Sequence, residues 1–154
     1  MVAFAVVRIR GTVGIKKDIR KTLESLMLKA PNNCIIIPDN EYYRGMLQNA
    51  KDYITWGEID EPTLSKLILE KGEINGGGRP DEKYIRNIGF ADVKEISNAI
   101  IKNDTTVKNL DGMKRVFRLS PPKKGYEGIK RSYANGGALG YRGKMINDLI
   151  RRML

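Results

Sequence analysis

Apolar and polar positions alternate at the start of the chain. In residues 2–10 (VAFAVVRIR), Ala3, Ala5, Val7 and Ile9 fall on one face, and Phe4, Val6, Arg8 and Arg10 on the other. This two-residue period predicts a strand whose first face meets a core and whose second turns basic toward its end. A turn from Gly11 to Gly14 follows, and then the period changes. Ile15, Ile19, Leu23 and Leu26 recur at helical spacing, which predicts an amphipathic helix over 15–29, ended by Pro31-Asn32-Asn33. Cys34-Ile35-Ile36-Ile37 reads as a short interior strand, and Pro38-Asp39-Asn40 as a turn able to cap the next helix. Tyr43, Met46, Leu47 and Ala50 predict that helix over 41–51, with Gly45 as its weak point. Residues 53–59 (YITWGEI) read as a third strand.

The order to this point is β-α-β-α-β, in which two helices can cover one face of a small sheet. Residues 60–112 differ. Glu61-Pro62-Thr63 starts a helix that Gly72 closes, Gly76-Gly77-Gly78 is a flexible joint, and 81–88 forms a short helix. Asp92 and Glu95 form a candidate capping box for a helix to about Lys102. Lys114 to Leu119 (KRVFRL) reads as a fourth strand. Residues 121–144 read as a loop, and Met145, Ile146, Leu149, Ile150 and Met153 form the apolar stripe of a closing helix that docks on the domain. The predicted class is therefore α+β. It has a core over 1–59, a helical insert over 60–112, and a basic strand, loop and helix over 113–154.

Charge sharpens this picture. The 154 residues carry 28 Lys and Arg against 18 Asp and Glu, a formal net charge of +10. That exceeds the roughly 2–8 sufficient to keep a small domain soluble, and favours a polyanionic partner. Residues 1–112 hold 17 basic and 16 acidic side chains, whereas residues 113–154 hold 11 and 2. A surplus confined to one segment reads as an electrostatic footprint.

Within that segment, residues 121–144 (PPKKGYEGIKRSYANGGALGYRGK) combine six glycines, six cations and three tyrosines with one acid. Lys123, Lys124, Lys130, Arg131, Arg142 and Lys144 can neutralise phosphates. Tyr126, Tyr133 and Tyr141 can stack on unpaired bases. Such a loop is expected to order fully only against RNA. A second candidate is the start of the first helix, with Arg10, Lys16, Lys17, Arg20 and Lys21, where free backbone N–H groups and cations attract phosphate. Arg44, beside Gly45, is a third and weaker one.

Other chemistry is poorly served. The chain has no histidine, which removes the commonest general base and metal ligand. Cys34 is the only cysteine, sits among isoleucines, and reads as a buried structural thiol in a reducing compartment. Gly76-Gly77-Gly78-Arg79-Pro80 lacks the Lys-Ser or Lys-Thr of a phosphate-binding loop and reads as a linker. Asp60-Glu61 and Asp81-Glu82 fall at helix starts, where carboxylates serve the dipole. Trp56 and the Tyr42-Tyr43 pair read as core or core-edge aromatics. No apolar run approaches the roughly 20 residues of a membrane helix.

An ordered set of segments carries a family resemblance. Phe4 to Gly11 (FAVVRIRG), the helix from Ile15, the strand from Cys34 to Pro38, Tyr43-Arg44-Gly45-Met46, and Tyr53 to Glu58 resemble the universal large-subunit ribosomal protein family numbered thirty, whose eukaryotic counterpart is numbered seven. The continuation beyond the third strand, without a long basic N-terminal arm, resembles archaeal members. The resemblance implies a ferredoxin-like core with a small antiparallel sheet. It also implies a structural role in the cytoplasmic ribosome, bound to large-subunit rRNA near the 5S rRNA and beside neighbouring large-subunit proteins. No cofactor, DNA, membrane or obligate homo-oligomer enters this reading. A free-standing nucleic-acid-binding regulator and a nucleotide- or RNA-acting enzyme are the competing classes. Co-sedimentation with large subunits separates the first from the ribosomal reading, and turnover on a nucleotide panel would reveal the second.

Overall fold

The computed structural model describes residues 2–11 and 13–154. Thr12, inside the turn expected after the first strand, lies outside the described residues.

The first half follows the periodicities. β1 (Ala3–Arg8), α1 (Lys17–Ser25), β2 (Asn33–Pro38), α2 (Glu41–Asn49) and β3 (Ile54–Glu58) appear in the expected order. β1 lies between β2 and β3 and pairs antiparallel with both, with Val6 opposite Ile35 on one side and Trp56 on the other. α1 ends sooner than expected, because Met27 (φ 63°) turns the chain into the left-handed region two residues after Ser25. Asn40 caps α2, its side chain accepting the Tyr43 N–H at 2.8 Å.

α3 (Glu61–Lys71), α4 (Glu82–Asn87) and α5 (Val93–Ile101) each start on an aspartate that accepts a backbone N–H: Asp60, Asp81 and Asp92. The Glu95 carboxylate reaches back to the Ala91 N–H, one residue before the cap. Together with α6 (Ile146–Met153), α3 and α5 cover the second face of the sheet. Ala3, Ala5, Val7 and Ile36 meet Leu64, Leu67, Ile68, Ile96, Leu149 and Ile150 in one core. Phe4, Val6, Ile35 and Trp56 meet Leu23, Leu26 and Leu47 of α1 and α2 in another. Both faces of β1 are thus buried, including the one that turns basic toward its end. This explains why its apolar run is continuous.

Two expectations change in the C-terminal part. The fourth strand shrinks to β4 (Phe117–Arg118), which pairs antiparallel with the start of β2. Residues 121–144 are not a free loop. They contain β5 (Gly128–Ser132) and β6 (Gly137–Tyr141), which extend the sheet beyond β3 in the order β4-β2-β1-β3-β6-β5. β6 runs parallel to β3, and β5 parallel to β6 with an irregular register. The antiparallel core is therefore the centre of a larger mixed sheet. Ala138 and Leu139 anchor β6 against Ile9 and Tyr126 in a third, small core. Gly57 lets the chain between β6 and α6 come close, since a Cβ there would collide with the Gly143 carbonyl.

Phe117 is the largest fully buried side chain and packs in the α3/α5/α6 core. Phe117→Ala should lower the unfolding free energy by about 3–5 kcal/mol, measured by denaturant titration with both wild type and variant at matched slope.

Candidate nucleic-acid interface

The cations of residues 121–144 divide by burial. Lys123, Lys124, Lys130, Arg131 and Lys144 are exposed. Lys130 and Arg131 stand on β5, the outer edge of the sheet. Lys123 and Lys124 sit on the preceding turn, whose backbone is held by α6: the Lys123 N–H donates to the Arg152 carbonyl at 2.9 Å. In return Arg152 donates to the carbonyls of Lys123 and Gly125. The backbone is fixed while the side chains reach outward, so contact needs no ordering of the turn.

Arg142 departs from the expected surface role. Its side chain is only 2% exposed. It donates to Thr55 Oγ1 at 2.9 Å and to the Ala138 carbonyl at 2.7 Å. It lies 3.8 Å from the Glu127 carboxylate, with its guanidinium carbon 4.9 Å from the Tyr133 ring centre. Arg142 fastens β6 to β3. Burial pushes its pKa down and Glu127 pulls it back up.

The tyrosines divide in the same way. Tyr126 is half-buried between two cores, and its hydroxyl donates to Asn32 Oδ1. Burial drives its pKa well above the ordinary value. Tyr133 is partly covered by Arg142. Tyr141 is 53% exposed and the ring of the three best placed to meet a partner. Sequence spacing alone does not separate these cases, because the residues that bury Tyr126 lie far away along the chain.

The structure brings Arg44 and Tyr141 together. They line one open groove of about 460 Å³ with Asp39, Trp56, Glu58 and Leu47. Asp39 holds the Arg44 fork, with Nη2 to Oδ2 at 2.7 Å, and the bond keeps the Asp39 carboxyl below its usual range. The Tyr141 hydroxyl donates to Glu58, and its ring centre lies 6.4 Å from that of Trp56. Trp56 is buried, as an aromatic of the core should be, whereas Tyr42 is 70% exposed and belongs to the surface. Gly45 adjoins Arg44 on α2, and a Cβ there would meet nothing within 4 Å. No contact inside the chain requires that glycine.

The remaining candidates lie around the start of α1. Lys16, Lys17, Arg20 and Lys21 are exposed, and no side chain caps the helix at Lys16. Arg10 is half-exposed, 4.8 Å from the Tyr53 ring centre. Arg8, not among the sequence candidates, is buried beside them. The three glycines at 76–78 form a positive-φ turn closed by the Ile74 N–H on the Gly78 carbonyl. Among the described residues no group of His, Cys, Asp or Glu is placed to hold a metal ion. Among the same residues no helix is long and apolar enough to cross a membrane.

These features define a basic α+β protein whose surface carries segregated cations. Residues 4–54 match the family model described as ribosomal protein L30p/L7e. The chain is 45% identical over 154 residues to the large ribosomal subunit protein uL30 of Methanococcus maripaludis strain C5, covering 99% of each. It is 47% identical to the uL30 of Nanoarchaeum equitans over the full length of both. Against that of Methanosphaera stadtmanae it is 44% identical, over 98% of this chain and 99% of the relative. The chain belongs to the L30p/L7e family of ribosomal proteins, in its archaeal form. It is a structural protein, not an enzyme.

Two outcomes test the assignments of interior groups. Arg142→Ala should cost about 2–3 kcal/mol, because buried partners of a charged donor are left unmet; a thermal or denaturant melt measures it. Burial pushes the Cys34 thiol up from 9.0 to about 12, so it stays protonated at neutral pH in the folded chain. Iodoacetamide at pH 8 should label it only after denaturant unfolds the protein, as read by mass spectrometry.

Proposed function

We propose that this chain is a structural constituent of the large ribosomal subunit that anchors to rRNA near the 5S rRNA, beside neighbouring large-subunit proteins, in the cytoplasmic ribosome. The observation that carries the reading is the segregation of charge onto a prepared surface. Residues 113–154 hold 11 of the 28 cations but only 2 of the 18 acids, and most of those cations are exposed on folded backbone, Lys130 and Arg131 on the edge strand β5 and Lys123 and Lys124 on the turn before it. Lys123, Lys124, Lys130, Arg131 and Lys144 meet backbone phosphates, which fixes position rather than reading sequence. Arg10, Lys16, Lys17 and Arg20 extend the phosphate-binding surface at the start of α1. Tyr141 and Arg44 offer a ring and a guanidinium to an unpaired base. Gly45 leaves room for the RNA backbone to come close to α2. Arg142, Tyr126 and Tyr133 serve the surface indirectly by holding β5 and β6 in place.

Sedimentation through a sucrose gradient tests the assignment. The chain should travel with large subunits after a moderate-salt wash, and should bind rRNA fragments that include the 5S contact region. Replacing Lys123, Lys124, Lys130 and Arg131 together with Ala should weaken that association. The salt dependence should flatten by up to about four phosphate equivalents. The melting temperature should barely change, since exposed side chains away from caps contribute little. A large loss of stability with unchanged RNA affinity would make the segment purely architectural.

Gly45→Ala separates close approach from packing. A mid-helix glycine costs about 0.5–1 kcal/mol relative to alanine, so the variant should melt higher than wild type and bind rRNA more weakly. Unchanged RNA affinity in the more stable variant would remove α2 from the interface.

A further inference from the structure

Arg8 and Arg142 are the two arginines of this protein buried to within a few per cent, and they are treated differently. Arg142 has a carboxylate, an aromatic face and two acceptors around it. Arg8 is 2% exposed and has two carbonyl acceptors, Leu28 at 2.8 Å and Arg10 at 2.9 Å. Among the described residues its Nη2 has no partner and no carboxylate stands within ion-pair distance. A buried cation without a counter-charge is costly.

The surroundings add positive charge rather than cancel it. Arg8 lines an open groove of about 640 Å³ with Arg20, Lys29, Glu24, Ile15 and Leu23. Arg20 and Lys29 are exposed on its walls, and neither forms an ion pair among the described residues. Burial first, and then the charge of Arg20, lower the pKa of Arg8, which reflects repulsion between the two guanidiniums. Glu24 is the one acid on the groove, and it too stands outside any ion pair. Two exposed cations, Arg20 and Lys29, thus share one groove with the unmet donor of a third, Arg8.

We propose that this groove, between the end of β1 and α1, seats a single phosphodiester of the RNA backbone. Arg8 forms the fixed base of the seat and Arg20 and Lys29 its adjustable walls. The inference rests on the rRNA-binding reading and deepens it at α1: it joins Arg8 and Lys29 to Arg20 and names the single group that the three would hold. Arg8 also holds the end of β1 to the turn after α1 through its bond to the Leu28 carbonyl, so the test leaves it in place.

The probe is inorganic phosphate, titrated into the full-length chain by calorimetry, with sodium chloride at matched ionic strength as control. Phosphate should bind the wild type, and Arg20→Ala with Lys29→Ala should weaken it at least about tenfold. Glu24→Gln, which removes the opposing charge, should tighten it. In rRNA binding, the double variant should lose about one unit of salt slope. Absence of phosphate binding beyond the chloride control would overturn the seat. Phosphate binding that the double variant abolishes, with the rRNA salt slope unchanged, would overturn the assignment to RNA and leave a site for free phosphate. The two readings fail separately. If rRNA binding depends on the C-terminal lysines but not on Arg20 and Lys29, the seat falls alone. If the wild-type chain does not travel with large subunits at all, the ribosomal reading falls with it.

Discussion

The structure depends on a strand with no face left for water. β1 is flanked by strands on both edges and by helices on both faces, so every residue from Ala3 to Ile9 is buried. The helices of residues 61–101 are therefore not an accessory to a finished core. They and α6 cover the face of β1 and β2 that α1 and α2 leave bare. At roughly 25 cal/mol per Å² of apolar surface removed from water, neither layer is dispensable in a chain of this size. This central strand also sets the chemistry at its end, because Arg8 continues the buried run and carries a charge into it.

Arginine and lysine divide the work according to their chemistry. The planar fork of Arg142 accommodates two acceptors and a ring at once, which suits the interior. The lysines at 123, 124, 130 and 144 carry compact, strongly hydrated charges and remain outside. Placing cations on β5 also serves the sheet itself. An outer strand with free backbone groups invites pairing with other chains, and Lys130 and Arg131 discourage it. The same charges that keep the free chain from associating edge to edge are those offered to phosphate.

Much of this was legible in the sequence, for local reasons. The β-α-β-α-β order, the caps before α2 and α5, the helix start at Asp60-Glu61 and the closing amphipathic helix all rest on spacings within a dozen residues. What escaped depends on distant contacts. β5 and β6 are each five residues long and contain glycines, so they show no clean alternation, and only their neighbours in the sheet make them strands. Arg142 looks like its exposed neighbours in a basic stretch, yet Thr55, 87 positions earlier, claims its side chain. Tyr126 is claimed by Asn32 across 94 positions. The groove at Arg8 joins a strand, a helix and the turn after it, and no motif spans those three. Tyr42 pairs edge-on with Tyr43 at the surface, which their adjacency does not reveal.

On the proposed function, β5 and the turn before it are a preformed anchor for folded RNA. Hydroxyl-radical footprinting of the protein, compared between the free chain and assembled large subunits, tests this most directly. Side chains of Lys123, Lys124, Lys130, Arg131 and Tyr141 should be open to radicals in the free chain and protected in the particle. Equal reactivity in both states would show that this edge faces solvent in the ribosome and contradict the account.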